Sequence, residues 1–356
     1  MTNKLKILVG ASSFAIAAIS AAPAFAAGTA AGTTITNTAT INYSVGGVAQ
    51  TAITASNAFT VDRQINLTVA EVGTTTTSVS PGQSAAVTAF TVTNTGNETQ
   101  DFRLSVSQLS GGTAPHGGTD SFDVTSPTIY VDTNSNGTYD AGTDTAVTFL
   151  DELAADASRT VFIVANIPIS ATNGQIAAVA LTAEAREGAG SGSEGAALTQ
   201  TSGADTTGKD TVFVDGAGSD DSARDARFSA RDDYTVAAPV LTVSKISWVI
   251  DDPVNGTTNP KRIPGATIGY CIIISNAAGG AAASGVSISD PIPSQTTYVT
   301  GSVLLGGTTV GGGSPTSCTG GATSTASFSS GTVSSGTISS IAANSTQVLW
   351  FRATVN

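Results

Sequence analysis

The sequence predicts an all-β protein with two β-sandwiches in tandem, and three observations carry that prediction. Short runs of Val, Ile, Phe and Leu alternate with Thr and Ser along most of the chain, the period-two pattern of half-buried strands. No long helical periodicity appears beyond the N-terminal leader. One pattern also occurs twice. Pro81-Gly82 is followed by Val87, Phe90, Val92 and the turn Thr93-Asn94-Thr95-Gly96, and Pro264-Gly265 by Ile268, Tyr270, Ile272, Ile274 and Ser275-Asn276-Ala277-Ala278-Gly279. A strand precedes each, Leu67-Thr68-Val69 and Leu241-Thr242-Val243, so two units of one architecture follow each other.

In chain order, Lys4 and Lys6 precede an apolar run from Ile7 to Ala22, closed by Ala24-Phe25-Ala26. This is the pattern of a secretory signal peptide over residues 1–26, with the mature chain starting near Ala27. The run is too short and too rich in Ala, Ser and Gly for a membrane anchor, and no second long apolar stretch follows. The expectation is an exported chain, extracellular, at the cell surface or in the periplasm, with no membrane insertion of its mature part.

Residues 27–63 read as an N-terminal β-hairpin. Ile35, Asn37, Ala39, Ile41, Tyr43 and Val45 alternate with Thr and other polar residues, and Gly46-Gly47 suits a tight turn. A second run passes through Ile53, Ala55, Phe59 and Val61. An isolated hairpin is marginal in water, so this element needs a partner. The strand 33–45 either folds back on its own molecule, against residues 211–236, or self-associates by completing a neighbour's sandwich.

Residues 64–187 contain about seven short strands separated by turn signals, the count of an immunoglobulin-like sandwich. Residues 188–238 read as a Gly/Ser-rich linker and an acidic hairpin. The strands of that hairpin would be Thr211–Val214 and Tyr234–Val236. Its loop would be solvated, with a cation site at Asp215, Asp220 and Asp221 as the alternative. Residues 239–356 form the second sandwich.

The most chemically specific run is Asp132–Asp144, between two predicted strands. Asp132, Asn134, Asn136 and Asp140 take the first, third, fifth and ninth places of a loop whose sixth is Gly137. Alternate oxygen side chains around a sharp glycine turn suit a hard cation that wants six to eight oxygens, hence calcium. The Thr138 carbonyl would be the backbone ligand. The twelfth place is Thr143, so Asp144 stands in for the bidentate Glu of the helix-loop-helix pattern. A solvated Asn/Gly turn is the competing reading.

With the leader removed, 12 basic and 26 acidic residues remain, which disfavours nucleic acid and anionic lipid and suits a calcium-containing medium. Cys271 and Cys318, an even pair in an exported chain, predict a disulfide stabilising by about 4 kcal/mol on the chain-entropy model. The single histidine, His116, lies beside Pro115 and Gly117 and reads as solvated. No Ser-His-Asp set, zinc-ligand cluster or phosphate-binding Gly loop is recognisable, and aromatic platforms for sugars are few, so the chain is read as no enzyme. Lys245 reads as an edge-strand lysine that discourages edge pairing, with an isopeptide bond to an Asn as the alternative.

The second unit resembles the "domain of unknown function eleven" family, the conserved-repeat immunoglobulin-like domain of bacterial envelope and secreted proteins. The residues that carry the resemblance are Leu241-Thr242-Val243-Ser244-Lys245, Asn259 through Ala266, Tyr270 through Asn276, Val286 through Pro293 and the closing strand. The resemblance implies a β-sandwich in surface adhesion or envelope structure, partnered by other envelope or matrix proteins or glycans. A structural, calcium-stabilised surface protein is the expected function, with a calcium-dependent adhesin or glycan-binding module as the alternative.

Overall fold

Alternation along the chain resolves into strands, and among the described residues there is no helix. The structure, a computed structural model, describes residues 28–323 and 325–356. The signal-peptide reading of residues 1–26 lies outside them.

The first sandwich pairs two sheets. One runs Thr145–Ala146, Thr125–Val131, Ser158–Asn166, Ala86–Asn94, Leu67–Glu71. The other runs Phe149–Leu153, Gln100–Gln108, Ile176–Gly188, Arg227–Val236, Thr77–Val79. Ala86–Asn94 alternates buried and half-buried positions without a break, and Phe90 and Val92 meet Phe102, Leu181 and Tyr234 in the core between the sheets. The Tyr234 hydroxyl is kept from being an orphan there, because it donates to the Ile163 carbonyl at 3.1 Å.

The second sandwich is smaller. Leu241–Asp251, Thr267–Asn276, Ser345–Val355 and Thr296–Tyr298 form one sheet, and Ala283–Pro291, Thr332–Ile341 and Ser327–Ser329 the other. Ile272, Ile274, Val333, Ile341, Leu349 and Phe351 fill the space between. The repeat seen in sequence is a repeat of register. Leu67 faces Asn94 and Leu241 faces Asn276, followed by Val69 opposite Val92 and Val243 opposite Ile274. Both asparagines are buried, and each spends its amide on one carbonyl of its own turn and one at the end of a neighbouring strand. Asn94 Nδ2 donates to Glu98 O and Leu153 O, and Asn276 Nδ2 to Ala281 O and Ile341 O.

Three expectations are corrected. Residues 188–238 are not a linker with a solvated acidic hairpin. Arg227–Val236 is an inner strand of the first sandwich, paired along its length with Ile176–Gly188. Thr211–Phe213 does not pair with 234–236 but runs parallel to Arg63–Ile65, so the acidic loop is not a hairpin loop. The N-terminal strand does not fold onto residues 211–236 either. Thr34–Ile41 pairs with Ile53–Thr60, as the hairpin reading expects, and Gly46 and Gly47 both take positive φ at its tip. Lys245 does lie on a sheet edge, but its ammonium reaches a carboxylate, Asp290, at 2.7 Å, rather than an asparagine.

Candidate functional site

The Asp132–Asp144 loop joins Thr125–Val131 to Thr145–Ala146, which pair through Val131 and Thr145. Its acidic side chains turn inward onto the loop's own backbone. Asp132 accepts from Gly137 N at 2.7 Å and Asn136 N at 3.2 Å, and Asp144 from Asp140 N at 2.7 Å and Thr133 N at 3.0 Å. Both carboxylates are buried. Asp140 accepts from the amides of Asn134 and Asn136, which hold its carboxyl below the usual range. Asn136 Oδ1 accepts from Thr138 N at 2.8 Å. Gly137 takes φ +76°, the left-handed turn that its place in the loop calls for. Tyr139 anchors the loop on the sheet, edge-on to Tyr130 and Phe162.

The six predicted ligand residues thus fall on one compact turn. Carboxylates of Asp132, Asp140 and Asp144 are nonetheless absent from the groups whose possible ligand atoms all lie within 4.8 Å, among the described residues. Those groups are Asp62, Asp205 and Asp210; Asp101, Asp151 and Glu152; and Glu71, His116 and Asp232. In the first two, backbone amides already claim oxygens. Asp101 accepts from Glu152 N and Gly195 N, Asp210 from Thr206 N, and Asp62 from Asp210 N. Asp215, Asp220 and Asp221, the alternative cation set, diverge. Asp215 is buried and takes Asp225 N and Ala226 N, Asp220 pairs with Arg231, and Asp221 accepts from Gly218 N.

The third group is the finding that residue-by-residue reading missed. His116 is not solvated. Its side chain is 15% exposed, with Nε2 3.2 Å from Glu71 Oε1 and Nδ1 3.3 Å from Asp233 Oδ1. Asp232 Oδ1 stands 3.8 Å from the same Nδ1. Burial, reinforced by the neighbouring carboxylates, pushes the Asp232 carboxyl up to about 7. Asp232 therefore keeps its proton at pH values where an exposed Asp would have lost it. The signal was present in Phe228, Ala230, Tyr234 and Val236, whose alternation marks a strand through Asp232 and Asp233.

Cys271 and Cys318, 47 positions apart in the chain, are joined in a disulfide. It lies on the outer face of the second sandwich, in a small cluster with Ile273, Val348, Trp248 and Trp350, distinct from the inner core. Gly269 makes room for Trp248 in this cluster, since a Cβ there would come within 2.5 Å of its ring. The bridge clips the hairpin of Thr308–Val310 and Ser317–Thr319 over a face of the sheet that would otherwise be wet.

The second sandwich opens at one end into a groove of about 570 Å³, lined by Ile292, Val303, Ala326, Tyr298 and Phe328. Tyr298 and Phe328 stack at 4.1 Å, and Phe328 is 38% exposed.

No protein-family model and no curated protein matches the chain. Among solved structures, the CupB6 tip adhesin from Pseudomonas aeruginosa is similar at 11% identity and TM-score 0.28, covering 81% of this chain and 89% of that one. The CsuC–CsuE chaperone–tip adhesion subunit pre-assembly complex from Acinetobacter baumannii gives 11% identity and TM-score 0.23, with 81% and 94% covered. The class 5 fimbriae chaperone CfaA gives 8% and 0.23, with 78% and 83% covered. At these identities and TM-scores the likenesses carry no argument about function.

Proposed function

We propose that this chain is an exported, non-catalytic structural protein of a bacterial envelope or extracellular matrix, a member of the conserved-repeat family that its second unit resembles. The observation that carries the reading is the Cys271–Cys318 bridge, buried in a cluster that Trp248 and Trp350 pack against, which belongs in an oxidising compartment. The leader pattern in the sequence supports the same compartment. Intact mass of the secreted protein tests it: residues 1–26 and two hydrogens are missing. Alkylation of both thiols without reduction overturns it.

Calcium at Asp132, Asn134, Asn136, Asp140, Asp144 and the Thr138 carbonyl is part of this proposal. The ligand spacing and the left-handed Gly137 support it. For binding, the Asn134 and Asn136 amides have to turn their oxygens toward the ion, leaving Asp140 free to ligate. The ion then replaces those amide donors. Wild type with calcium should unfold at a higher midpoint than in chelator, by an amount that grows with free metal. Equal midpoints would remove the metal from the proposal.

A glycan-binding adhesin is the second reading, favoured by the Tyr298–Phe328 stack at the mouth of its groove. A glycan array with and without chelator distinguishes it from a purely structural role. Binding lost in Phe328→Ala identifies the groove.

A further inference from the structure

The hairpin of Thr34–Ile41 and Ile53–Thr60 stands away from both sandwiches. Every residue from Gly32 to Phe59 is exposed, including Ile41 at 61%, Ile53 at 55% and Phe59 at 62%. Its root, by contrast, is fixed. Asn97 donates from Nδ2 to Thr29 O and Asp62 O, and Val61 N donates to Thr33 O. A firmly held ribbon therefore presents apolar side chains to water.

Register sorts those side chains onto one face. Ile35 faces Phe59, Asn37 faces Asn57, Ala39 faces Ala55 and Ile41 faces Ile53. The other face is Thr34 with Thr60, Thr36 with Ala58, Thr38 with Ser56 and Thr40 with Thr54. Each strand is thus nearly the reverse of the other, and each level carries matched residues. From root to tip the apolar face reads large, Asn, Ala, large. Inverted onto a copy of itself, it sets large levels on large levels and the Asn level over the small Ala level. The Asn side chains then face small Ala side chains instead of bulky apolar groups.

Charge also points to a second copy. No Asp, Glu, Lys, Arg or His occurs from Gly28 to Val61, in a chain of net charge −12, so two hairpins meet without the repulsion that the rest of the surface would impose. The ribbon also lacks the devices that keep sheets apart, namely charge, Pro and bulge, and its register is unbroken from Thr34 to Ile41. The edge strand Leu241–Asp251 has two of them, the charge of Lys245 and a register shift near Asp251.

We propose that the N-terminal hairpin is a homotypic docking element that stacks its apolar face on the same face of a second copy, with the two roots at opposite ends. Size decides the orientation. Packed ribbons lie roughly 10 Å apart, whereas a sandwich of this length is roughly 30 Å across. Roots at the same end would drive the two bodies into each other, and roots at opposite ends separate them. The pairing is isologous and closes at a dimer, in place of the strand addition into a neighbour's sandwich that the sequence suggested. It does not depend on where the chain is exported.

Sedimentation velocity of the mature chain over a concentration series tests the proposal, with two single-residue variants. Wild type should reach a dimer, Ala39→Lys on the apolar face should remain monomeric, and Thr38→Lys on the polar face of the same strand should dimerise as wild type does. The thermal midpoint of the sandwiches should be the same in all three. A wild type that stays monomeric throughout, a dimer retained by Ala39→Lys, or a dimer lost equally in both variants would each overturn it; the last would mean edge pairing.

Discussion

Burial raises the pKa of the Asp232 carboxyl, because water no longer stabilises its ionised form. Glu71 and Asp233 add negative charge beside it, and the Asp233 backbone amide and His116 offset only part of the rise. The folded carboxyl titrates near 7 and the unfolded one near the ordinary 3.8. The folded state therefore binds the extra proton between these values. Its stabilising contribution is complete below the unfolded value and is lost as pH rises through about 7. Asp232→Asn keeps an acceptor for Asp233 N and removes the titration. The variant should gain on wild type steadily from pH 4 to 8, by at most about 4 kcal/mol, read from urea midpoints. A difference that does not change with pH would show that Asp232 is ionised throughout. The asparagines of the repeat are a second case at this scale. Asn94 Nδ2 serves two carbonyls and its Oδ1 accepts from Gly96 N, so Asn94→Ala should cost about 3 kcal/mol. Asn94→Asp should cost more, because it turns a carboxylate toward those carbonyls. Asn276→Ala should show a loss of similar size in the other sandwich.

At the scale of elements, the Asp132–Asp144 loop is held together by its own hydrogen bonds. Asp132 already accepts from two backbone amides. Asp132→Ala should therefore lower the urea midpoint even in chelator, by about 1–3 kcal/mol for the orphaned donors, and by more in calcium. A loss that is the same in both media would leave the loop a structural turn. The same element shows where sequence reading succeeds and stops. Spacing placed all six residues on one turn, because Asn, Asp and Gly fix local geometry. It could not tell which donor each oxygen would face, because those donors are backbone groups set by the closed turn. Strand pairing follows the same rule. Hairpin 34–60 and the repeated strand–Pro-Gly–strand unit were legible, since their partners are near in sequence. Arg227–Val236 was misread because its partner, Ile176–Gly188, lies across an acidic, Gly-rich stretch, and because two of its charged residues, Asp232 and Asp233, are buried where a strand pattern expects apolar ones. His116 was misread for a related reason. Its partners, Glu71, Asp232 and Asp233, come from strands remote in the chain, and no local signal brings them together.

At the scale of the whole molecule, the two sandwiches meet where the first repeat hands over to the second. Asn173 spans that junction. Its Oδ1 accepts from Ala238 N at 2.9 Å and its Nδ2 donates to Gly279 O at 3.0 Å. Beside it, Ala238 O accepts from Ala281 N, and Val240 O from Ala277 N, so the connecting segment is itself laced into the Asn276 turn of the second unit. The turn that repeats in sequence thus does the same task in both units: the Asn94 turn holds the incoming chain through Thr95 N to Asn66 O and Asn97 N to Gln64 O, and the Asn276 turn receives the chain from the first sandwich. Asn173 lies on a loop outside both cores, so Asn173→Ala should leave the unfolding midpoints of both sandwiches within about 1 kcal/mol of wild type. It should loosen their relative orientation, because one side chain no longer ties Gly279 to Ala238. Small-angle scattering, under conditions where the chain is monomeric, should show a broader distribution of distances for the variant. Proteolysis of the 237–241 segment should be faster. An unchanged distribution together with unchanged cleavage would mean that the backbone bonds of Ala238 and Val240 hold the junction without Asn173.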